Sequence, residues 1–404
     1  MSCPFSTAPT LDRLEAPLAI PLEKAYPAVI NQRYRSIEDP KVVREILRRA
    51  EDFSPANALS TAIDLTPAAL RILASVKFAL PPVLASASGP AHRTVRRIVT
   101  GFFTPAKVAA QDGFIRARVK EICGTLQHEY RRGAGVDLAA GLAAVLPPEI
   151  MHRLTGIPVP EPSLLKRWSQ DSLELFWGWP TEERQLELAT SAAEFYAWLR
   201  DSVEQGIGRD DGNLYAALHN AGVESGRIRS LGYFLAIAGQ ETTSMLIQTT
   251  LFHALDQGLW PACADPETGQ ERAKEIVSEV LAGASSVPTW RRIATADMDV
   301  GGESFMKGEQ LVLRLSGGAL GEAGDDSLAF GFGIHRCLGA GLARLETELV
   351  LFEAARALPE IELQPGQRDW IHLLSFQAPT TVPTHVRAGA QTADAASTKK
   401  RNAS

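Results

Sequence analysis

The segment Phe-Gly-Phe-Gly-Ile-His-Arg-Cys-Leu-Gly, residues 330–339, constrains this chain more than any other part of it. It places Cys337 in a glycine-rich loop after His335 and Arg336, and a helical pattern begins directly behind it. A thiolate needs positive charge or N–H donors around it to stay deprotonated, and a helix N-terminus supplies such donors. The glycines allow the backbone to approach a flat ligand closely. These are the features required to present Cys337 as an axial ligand to haem iron.

This loop resembles the haem-binding signature of the cytochrome P450 superfamily, F-G-x-G-x-H-x-C-x-G followed by A-x-x-E. Every position of that pattern is filled here, by Phe330, Gly331, Gly333, His335, Cys337, Gly339, Ala343 and Glu346. A buried, inert cysteine beside a glycine turn is the ordinary alternative for an isolated cysteine, but the complete spacing favours a haem-thiolate loop. The resemblance implies haem b as cofactor, Cys337 as the ligand of its iron, and Phe330, His335 and Gly339 in contact with it.

Composition is compatible with a large soluble enzyme. The chain has 404 residues, 45% hydrophobic and 22% charged, which is enough for one large domain or two ordinary ones. A net charge of −6 is too small to indicate a nucleic acid or an anionic membrane as partner. The four cysteines form no C-x-x-C pair, which suits a reducing cytosol, and they are Cys3, Cys123, Cys263 and Cys337. Cys123 lies in a helical pattern and is expected in the core.

The two ends of the chain have distinct compositions. Residues 1–18 contain three prolines and no long apolar run, so we expect no membrane anchor and a cytoplasmic protein. Residues 388–404 are small and polar and include a Lys-Lys-Arg cluster. We expect this tail to be disordered, with a basic address signal as the weaker alternative.

Helical patterns dominate the sequence, and strand patterns are few. Apolar stripes predict helices over residues 40–50, 91–103, 105–130, 138–154, 164–177, 180–203, 227–255, 273–282 and 340–358. Residues 299–308 and 310–315 predict a hairpin with its following strand, and 381–386 a late strand. A mainly α fold with small β-sheets is therefore expected. The resemblance implies a single cytochrome P450 domain over residues 1–387, with haem between the central helix 227–255 and the helix 339–358.

The central helical pattern contains Ala238-Gly239-Gln240-Glu241-Thr242-Thr243. An interior glycine costs about 1 kcal/mol relative to alanine, so the segment is either functional or an ordinary polar helix face. It resembles the family motif A-G-x-[D/E]-T. The resemblance implies that Ala238 and Gly239 form an oxygen groove, and that Glu241 and Thr242 are catalytic residues that deliver protons. We expect Thr242 to hydrogen-bond the carbonyl of Ala238 and open the helix locally.

Haem propionates need cations or hydrogen-bond donors, and four residues are candidates. His92 and Arg96 lie four positions apart, hence on one helix face, and resemble the family's H-x-x-x-R. Arg292 occupies the position where relatives place an arginine on a propionate, and His335 belongs to the signature loop. Each alone is explained as a solvated surface charge, but together with Cys337 they favour contact with haem.

The sequence departs from the family in the E-x-x-R motif. Counting back from Arg292 places this motif at residues 279–282, where Glu279 is present but Ala282 replaces the arginine. The loop before the haem signature is also shortened and lacks N-R-D-P and the second arginine. A buried Glu279 should then be protonated or find a new donor, and we expect it to support haem retention. Three interpretations stay open: an active enzyme of a divergent branch, which the intact motifs favour, a degenerate haem protein, or a sequence with a deletion.

Segments that line the substrate pocket in relatives are strongly apolar here, although much of this surface must be core. The candidate pocket residues are Phe78, Phe176, Val287, Trp290 and Phe376. They predict a small apolar or aromatic substrate, either free or tethered to a carrier protein. The family's D-P-Y-P-x-Y helix is missing before Tyr34, so the side from which substrate enters is expected to be more open.

Electrons must come from another protein, because the sequence has no Gly-rich nucleotide-binding fingerprint. Basic residues expected near the thiolate side of haem are Arg93, Arg97, Lys107, Arg336 and Arg344. They form either a solvated face or a docking site for an acidic ferredoxin, itself reduced by a ferredoxin reductase. We expect a monomer.

The resemblance implies a haem-thiolate monooxygenase that inserts one oxygen atom of O2 by hydroxylation or epoxidation, in bacterial natural-product metabolism. One alternative is a haem-thiolate enzyme that uses peroxide or catalyses coupling or rearrangement. Peroxygenase relatives tend to lose the threonine that this chain keeps as Thr242. The other alternative is a catalytically degenerate haem-binding or ligand-binding protein.

Overall fold

The structure is a computed structural model that describes residues 20–209, 211–366 and 369–387. Helices α1 to α17 are Leu22–Ala25, Ala28–Asn31, Pro40–Arg48, Pro67–Ser75, Gly89–Thr100, Pro105–Ala109, Asp112–Arg131, Leu146–Thr155, Pro162–Trp177, Glu182–Gly208, Leu214–Asn220, Ser225–Ala238, Glu241–Asp256, Trp260–Cys263, Gly269–Ala284, Ala319–Glu322 and Ala340–Ala357. Strands β1 to β11 are Arg35–Ile37, Phe53–Ser54, Val136–Asp137, Thr289–Ala294, Met298–Val300, Glu303–Phe305, Gln310–Arg314, Ile361–Leu363, Trp370–His372, Gln377–Pro379 and Pro383–Val386. Single 3-10 turns at Leu84–Ser86 and Gly333–His335 and a π-helical turn at Ala139–Ala143 complete the secondary structure of these residues. The predicted mainly α fold with small sheets is confirmed.

Most predicted helices are present, and their ends follow ordinary capping chemistry. Asp39 accepts hydrogen bonds from the first-turn amides of α3, and Thr181 and Asn213 do the same for α10 and α11. Helix α8 ends at Gly156, whose φ of +66° is left-handed. Three predicted helices are divided: residues 105–130 form α6 and α7, residues 138–154 form the π-helical turn and α8, and residues 227–255 form α12 and α13.

The largest sheet has the strand order β1-β7-β4-β2. Strand β4 pairs antiparallel with β7 and with β2, and β1 pairs parallel with β7. The sequence did not predict β4, because its Thr-Trp-Arg-Arg-Ile-Ala lacks apolar and polar alternation: Arg291 and Arg292 are each only 1% exposed. The remaining sheets are the pairs β5-β6 and β9-β10 and the three-stranded β3-β11-β8, which contains the predicted late strand.

The central helix prediction over residues 227–255 is wrong in one respect: the structure has two helices there. Helix α12 ends at Ala238 and α13 begins at Glu241. Thr242 Oγ1 donates to the carbonyl oxygen of Ala238 at 2.7 Å. This bond, which the sequence predicted, takes a carbonyl that the helix ladder would otherwise use, and so opens the helix at Gly239 and Gln240.

The apolar core has two large parts that meet near this break. One joins α9, α10 and α12, and the other joins α7, α13, α15 and α17. Cys123 belongs to the second part and is fully buried, as expected. Helix α17 packs against α7, α13 and α15, so the helix that follows Cys337 is held on several sides.

None of the helices in the described ranges is long and apolar enough to cross a bilayer. The predictions for Cys3, for the missing anchor in residues 1–18 and for the tail 388–404 fall outside the described residues. The assignment of residues 1–387 to one domain stays a prediction.

Candidate functional site

A large cavity lies between the break in the central helix and the loop that holds Cys337. Its wall contains most of the predicted site residues, which are Arg96, Phe176, Ala238, Gly239, Thr242, Val287, Trp290, Arg292, Phe330, His335, Cys337, Gly339 and Phe376. The structure therefore brings together residues that are distant in the sequence. His92, Glu241 and Phe78 are not in this wall. Phe78 lies one layer behind it, with its ring centroid 5.4 Å from that of Tyr233.

The Cys337 loop is shaped by backbone hydrogen bonds. The Cys337 amide donates to the carbonyl of Phe330 at 2.9 Å, and that of Arg336 to Gly333 at 3.1 Å. Gly333 has a φ of +69°, and a Cβ there would lie 2.8 Å from the carbonyl oxygen of Leu47 in α3. Only glycine therefore allows α3 to close against the loop at this point.

The thiol of Cys337 is accessible from the cavity. The low-polarity surroundings raise the pKa of this thiol, while the amides of Gly339 and Ala340 and the cations of Arg96 and Arg336 act in the opposite direction. The first amides of α17 therefore point at the sulfur. The two amides and the two cations would stabilise the negative charge of a Cys337 thiolate bound to haem iron.

None of the four predicted propionate residues has a carboxylate partner among the residues that the structure describes. Both ring nitrogens of His92 are buried without a hydrogen-bond partner, and so is Nε of Arg292. Nη1 of Arg292 donates a hydrogen bond to the carbonyl oxygen of Arg291 at 2.7 Å, and Nη2 of Arg96 donates one to the carbonyl oxygen of Arg336 at 2.7 Å. Burial lowers the pKa of Arg292 to about 10. Buried donors of this kind fit the carboxylates of haem propionates.

His335 connects this group to the loop. Its Nε2 lies 2.7 Å from the carbonyl oxygen of Ala87, and its Nδ1 lies 3.4 Å from Nη2 of Arg292. Burial, followed by the nearby Arg292 cation, lowers the pKa of His335 to about 4. A neutral ring that donates from Nε2 and accepts at Nδ1 satisfies both contacts. The His92 and His335 ring centroids are 4.9 Å apart, so these two predicted residues are neighbours.

The helix break contributes a second part of the cavity wall. A Cβ on Gly239 would lie 2.7 Å from the carbonyl oxygen of Leu235 and 2.8 Å from Cε of Met151, so glycine permits this geometry. Thr242 lines the cavity, whereas the side chain of Glu241 turns towards α9. Its Oε2 lies 2.6 Å from Nζ of Lys166.

Lys166 is a functional candidate that sequence reasoning missed. It lies within the helical pattern of residues 164–177, and no local spacing connects it to the central helix. Only the packing of α9 on α12 brings them together. Tyr233, Phe234, Leu235 and Ile237 of α12 were also missed as cavity residues, although Phe234 and Leu235 lie four and three positions before Ala238 and so share its helix face.

The expectation of a buried Glu279 is wrong. This carboxylate is exposed, and its oxygens lie 3.5 Å from Nη1 of Arg272 and 3.6 Å from Nε2 of His253. Ala282 is buried, and its carbonyl accepts hydrogen bonds from the Gly317 amide at 2.7 Å and from Ser316 Oγ at 3.1 Å. The shortened loop thus packs directly on α15.

The five basic residues predicted near the thiolate side of haem differ in how many contacts they already make within the protein. Arg93, Arg97 and Arg336 are exposed. Lys107 donates to the carbonyl of Gly101 at 2.7 Å, and Arg344 is paired with Asp326 at 2.8 Å. A smaller set than expected is therefore available for contact with a partner.

The substrate side of the cavity is aromatic. Trp177 and Phe376 pack edge to face at a centroid distance of 4.9 Å, and Trp290 and Phe376 do so at 6.3 Å. No Asp or Glu lies in the cavity wall formed by the described residues. This surface favours apolar and aromatic ligands.

Comparison with known proteins agrees with this geometry. The chain is 32% identical over 289 residues to pentalenic acid synthase of Streptomyces avermitilis, which covers 68% of this chain and 70% of that protein. It is 25% identical over 346 residues to a steroid C26-monooxygenase of Mycolicibacterium smegmatis, covering 79% and 76%. The solved structure of cytochrome P450 CREJ in complex with (4-ethylphenyl) dihydrogen phosphate matches with a TM-score of 0.78 and 27% identity, covering 88% of this chain and 92% of that one. No protein-family model matches the chain.

Proposed function

This chain belongs to the cytochrome P450 superfamily of monooxygenases, and from that premise we propose that it inserts one oxygen atom of O2 into a small apolar or aromatic molecule by hydroxylation or epoxidation. The observation that supports this best is that Cys337 and Thr242 both line one cavity. When bound, haem b supplies the iron that activates dioxygen. Cys337 would hold that iron, Phe330 and Gly339 would lie against the cofactor, and His92, Arg96, Arg292 and His335 would hold the propionates.

Proton delivery is assigned to the first turn of α13. Thr242 keeps a hydroxyl at the cavity, fixed by its bond to the carbonyl of Ala238. Glu241 is 4% exposed, and its carboxylate contacts Lys166, whose side chain is 28% exposed. Lys166 therefore connects the buried acid to solvent, Glu241 relays the proton inwards, and Thr242 holds it in the groove formed by Ala238 and Gly239.

The cavity wall supports the substrate assignment. Its apolar lining includes Phe176, Val287, Trp290 and Phe376, and the cations Arg96 and Arg292, which we assign to the propionates, are also in the wall. The two relatives are named for pentalenic acid and for a steroid. Oxidation of a natural-product intermediate, free or attached to a carrier protein, is in keeping with these names.

Two sequence alternatives remain distinct from this proposal. A peroxide-using enzyme would be expected to lose Thr242 and gain an acid in the cavity, and neither change is found among the described residues. A catalytically degenerate haem protein would bind haem but convert no substrate to product. For the electron supply we propose a ferredoxin and its reductase docking near Arg93, Arg97 and Arg336, with the enzyme acting as a cytoplasmic monomer.

The test is spectroscopic and then kinetic. The reduced, carbon-monoxide-bound protein should show the red-shifted Soret band of a thiolate ligand, and Cys337→Ser should remove it. Cys263→Ser, at a free cysteine that is buried and lies outside the cavity wall, is the control and should keep the band. Turnover of apolar test substrates with a surrogate ferredoxin system supports the proposal. Turnover with hydrogen peroxide alone would favour the first alternative, and a thiolate band without any turnover the second.

A further inference from the structure

The missing E-x-x-R arginine leaves a structural question: what joins α15 to the segment that leads into the haem loop? Ala282 has no charged group, and Glu279 lies at the surface with Arg272 and His253. The loop from Ser316 is attached to α15 at its beginning, through the hydrogen bonds to the Ala282 carbonyl. Its other end, which continues into Phe330, needs a separate attachment.

Arg344, in the second turn of α17, makes three contacts at that end. Its Nη2 lies 2.8 Å from Oδ2 of Asp326 in the shortened loop, and its Nη1 donates to Oγ of Ser278 in α15 at 3.3 Å. Its guanidinium carbon lies 5.3 Å from the centre of the Phe330 ring. One side chain therefore contacts α15, the shortened loop and the first residue of the haem signature.

These contacts lead directly to the cysteine. The carbonyl of Phe330 accepts the Cys337 amide at 2.9 Å, so the position of Phe330 sets the position of the ligand loop. A planar guanidinium can donate from two separate nitrogens while its face packs on an aromatic ring, a combination that the single nitrogen of a lysine ammonium matches less well. The partial burial of Arg344 and Asp326 also protects their ion pair from full solvent screening.

We propose that Arg344 is a positioning residue for the haem-thiolate loop, and that with Asp326 and Ser278 it takes over the role that an E-x-x-R arginine would have had in this chain. This inference rests on the proposed function. It also changes the role expected for Arg344 from the sequence, since a guanidinium committed to these contacts is not free to bind a redox partner.

The test compares haem retention in the purified holoprotein and in four single variants. These are Arg344→Met, Arg344→Lys, Asp326→Asn and the control Arg356→Met. Arg356 lies on the same helix and also packs on a ring, that of Phe352 at 5.1 Å, but it is exposed and far along the helix from the loop. The measured quantities are the rate of haem transfer to apomyoglobin and the rate at which the carbon-monoxide complex loses its thiolate band.

Arg344→Met and Asp326→Asn are expected to speed both processes on the order of 10-fold, as loss of an outer partner of a metal ligand does. Arg344→Lys should lie between them and wild type, and Arg356→Met should equal wild type. The double variant Arg344→Met with Asp326→Asn should be no worse than Arg344→Met alone, because both remove the same pair.

Equal rates for Arg344→Met and Arg356→Met would overturn the inference. If Arg344→Met does not fold, Asp326→Asn decides alone, and wild-type rates for it would overturn the inference as well. A wild-type protein without any thiolate band would overturn the proposed function. A wild-type band with haem retention unchanged in the Arg344 and Asp326 variants would leave the proposed function intact and reject this role for Arg344.

Discussion

Nζ of Lys166 lies 2.6 Å from Oε2 of Glu241, and this ion pair connects the surface of α9 to the first turn of α13 beside the cavity. Glu241 is nearly fully buried. Its carboxylate therefore depends on the lysine for charge compensation more than a surface carboxylate would. We propose that the pair is a route for protons from solvent to the cavity, and we expect it to contribute to stability as well; the two roles can be measured separately.

Lys166→Met should lower the free energy of unfolding by about 1–2 kcal/mol, because it leaves a buried carboxylate without its cation. Urea denaturation measures this change. Lys274→Met removes the exposed pair with Glu271 and should have no measurable effect. If the two variants are equally stable, the buried pair contributes nothing. Glu241→Gln in the Lys166→Met background should restore part of the loss.

Thr242→Ala should reduce product formation per electron consumed by about 10- to 100-fold, because the cavity loses the hydroxyl that holds the transferred proton. The ratio of product to hydrogen peroxide released measures this effect. The control is Thr250→Ala, since Thr250 makes the same kind of bond, to Leu246 O at 2.8 Å, on the same helix but away from the cavity. A similar ratio in both variants would contradict the role of Thr242.

Ala282→Arg should not restore a family-like site. Ala282 is 1% exposed, and the shortened loop already packs on its carbonyl. A guanidinium placed here would be buried without a carboxylate, so we expect a loss of about 3 kcal/mol in stability together with reduced haem content. Glu279→Ala should keep stability and haem content near the wild-type values, because this side chain is exposed. Higher haem content in Ala282→Arg than in wild type would contradict the packing argument.

Glu346→Gln should change how stability depends on pH. Glu346 is 1% exposed, its Oε2 has no hydrogen-bond partner, and burial raises its pKa well above the ordinary value. The folded protein therefore keeps a proton that the unfolded chain releases above its ordinary pKa, so stability falls as pH rises from that value towards the raised one. Glutamine needs no proton, and the variant should melt at a higher temperature than wild type at pH 8 but not at pH 4. The same difference in melting temperature between the variant and wild type at pH 8 and at pH 4 would contradict this effect of Glu346.

The resemblance to family motifs predicted much of this candidate site, because each motif is short and its residues are local in the sequence. The loop around Cys337 is one continuous segment, and His92 and Arg96 lie on one helix face. The bond from Thr242 to Ala238 followed from helix geometry for the same reason. What the sequence did not show depends on contacts between distant segments: Lys166 meets Glu241 only through helix packing.

Two predictions were wrong and one strand was missed, each for its own physical reason. Apolar helical patterns lie on both sides of residues 239–244, so periodicity predicted one helix where α12 and α13 are separate. Glu279 was expected to be buried, because in the family the glutamate of the E-x-x-R motif pairs with the arginine of the same motif. In this chain the neighbouring arginine and the loop partner are both absent, and a carboxylate without buried cations is more stable in water. The strand β4 was missed because two buried arginines interrupt its pattern.

The close approach of Gly333 to Leu47 joins a helix near the start of the chain to a loop near its end. During synthesis on the ribosome, α3 emerges long before its counterpart exists. The cysteine loop can take the shape described here only after residues 330–339 have been synthesised and have packed against α3. Contact between these two segments is therefore a late step in folding relative to the formation of α3 itself.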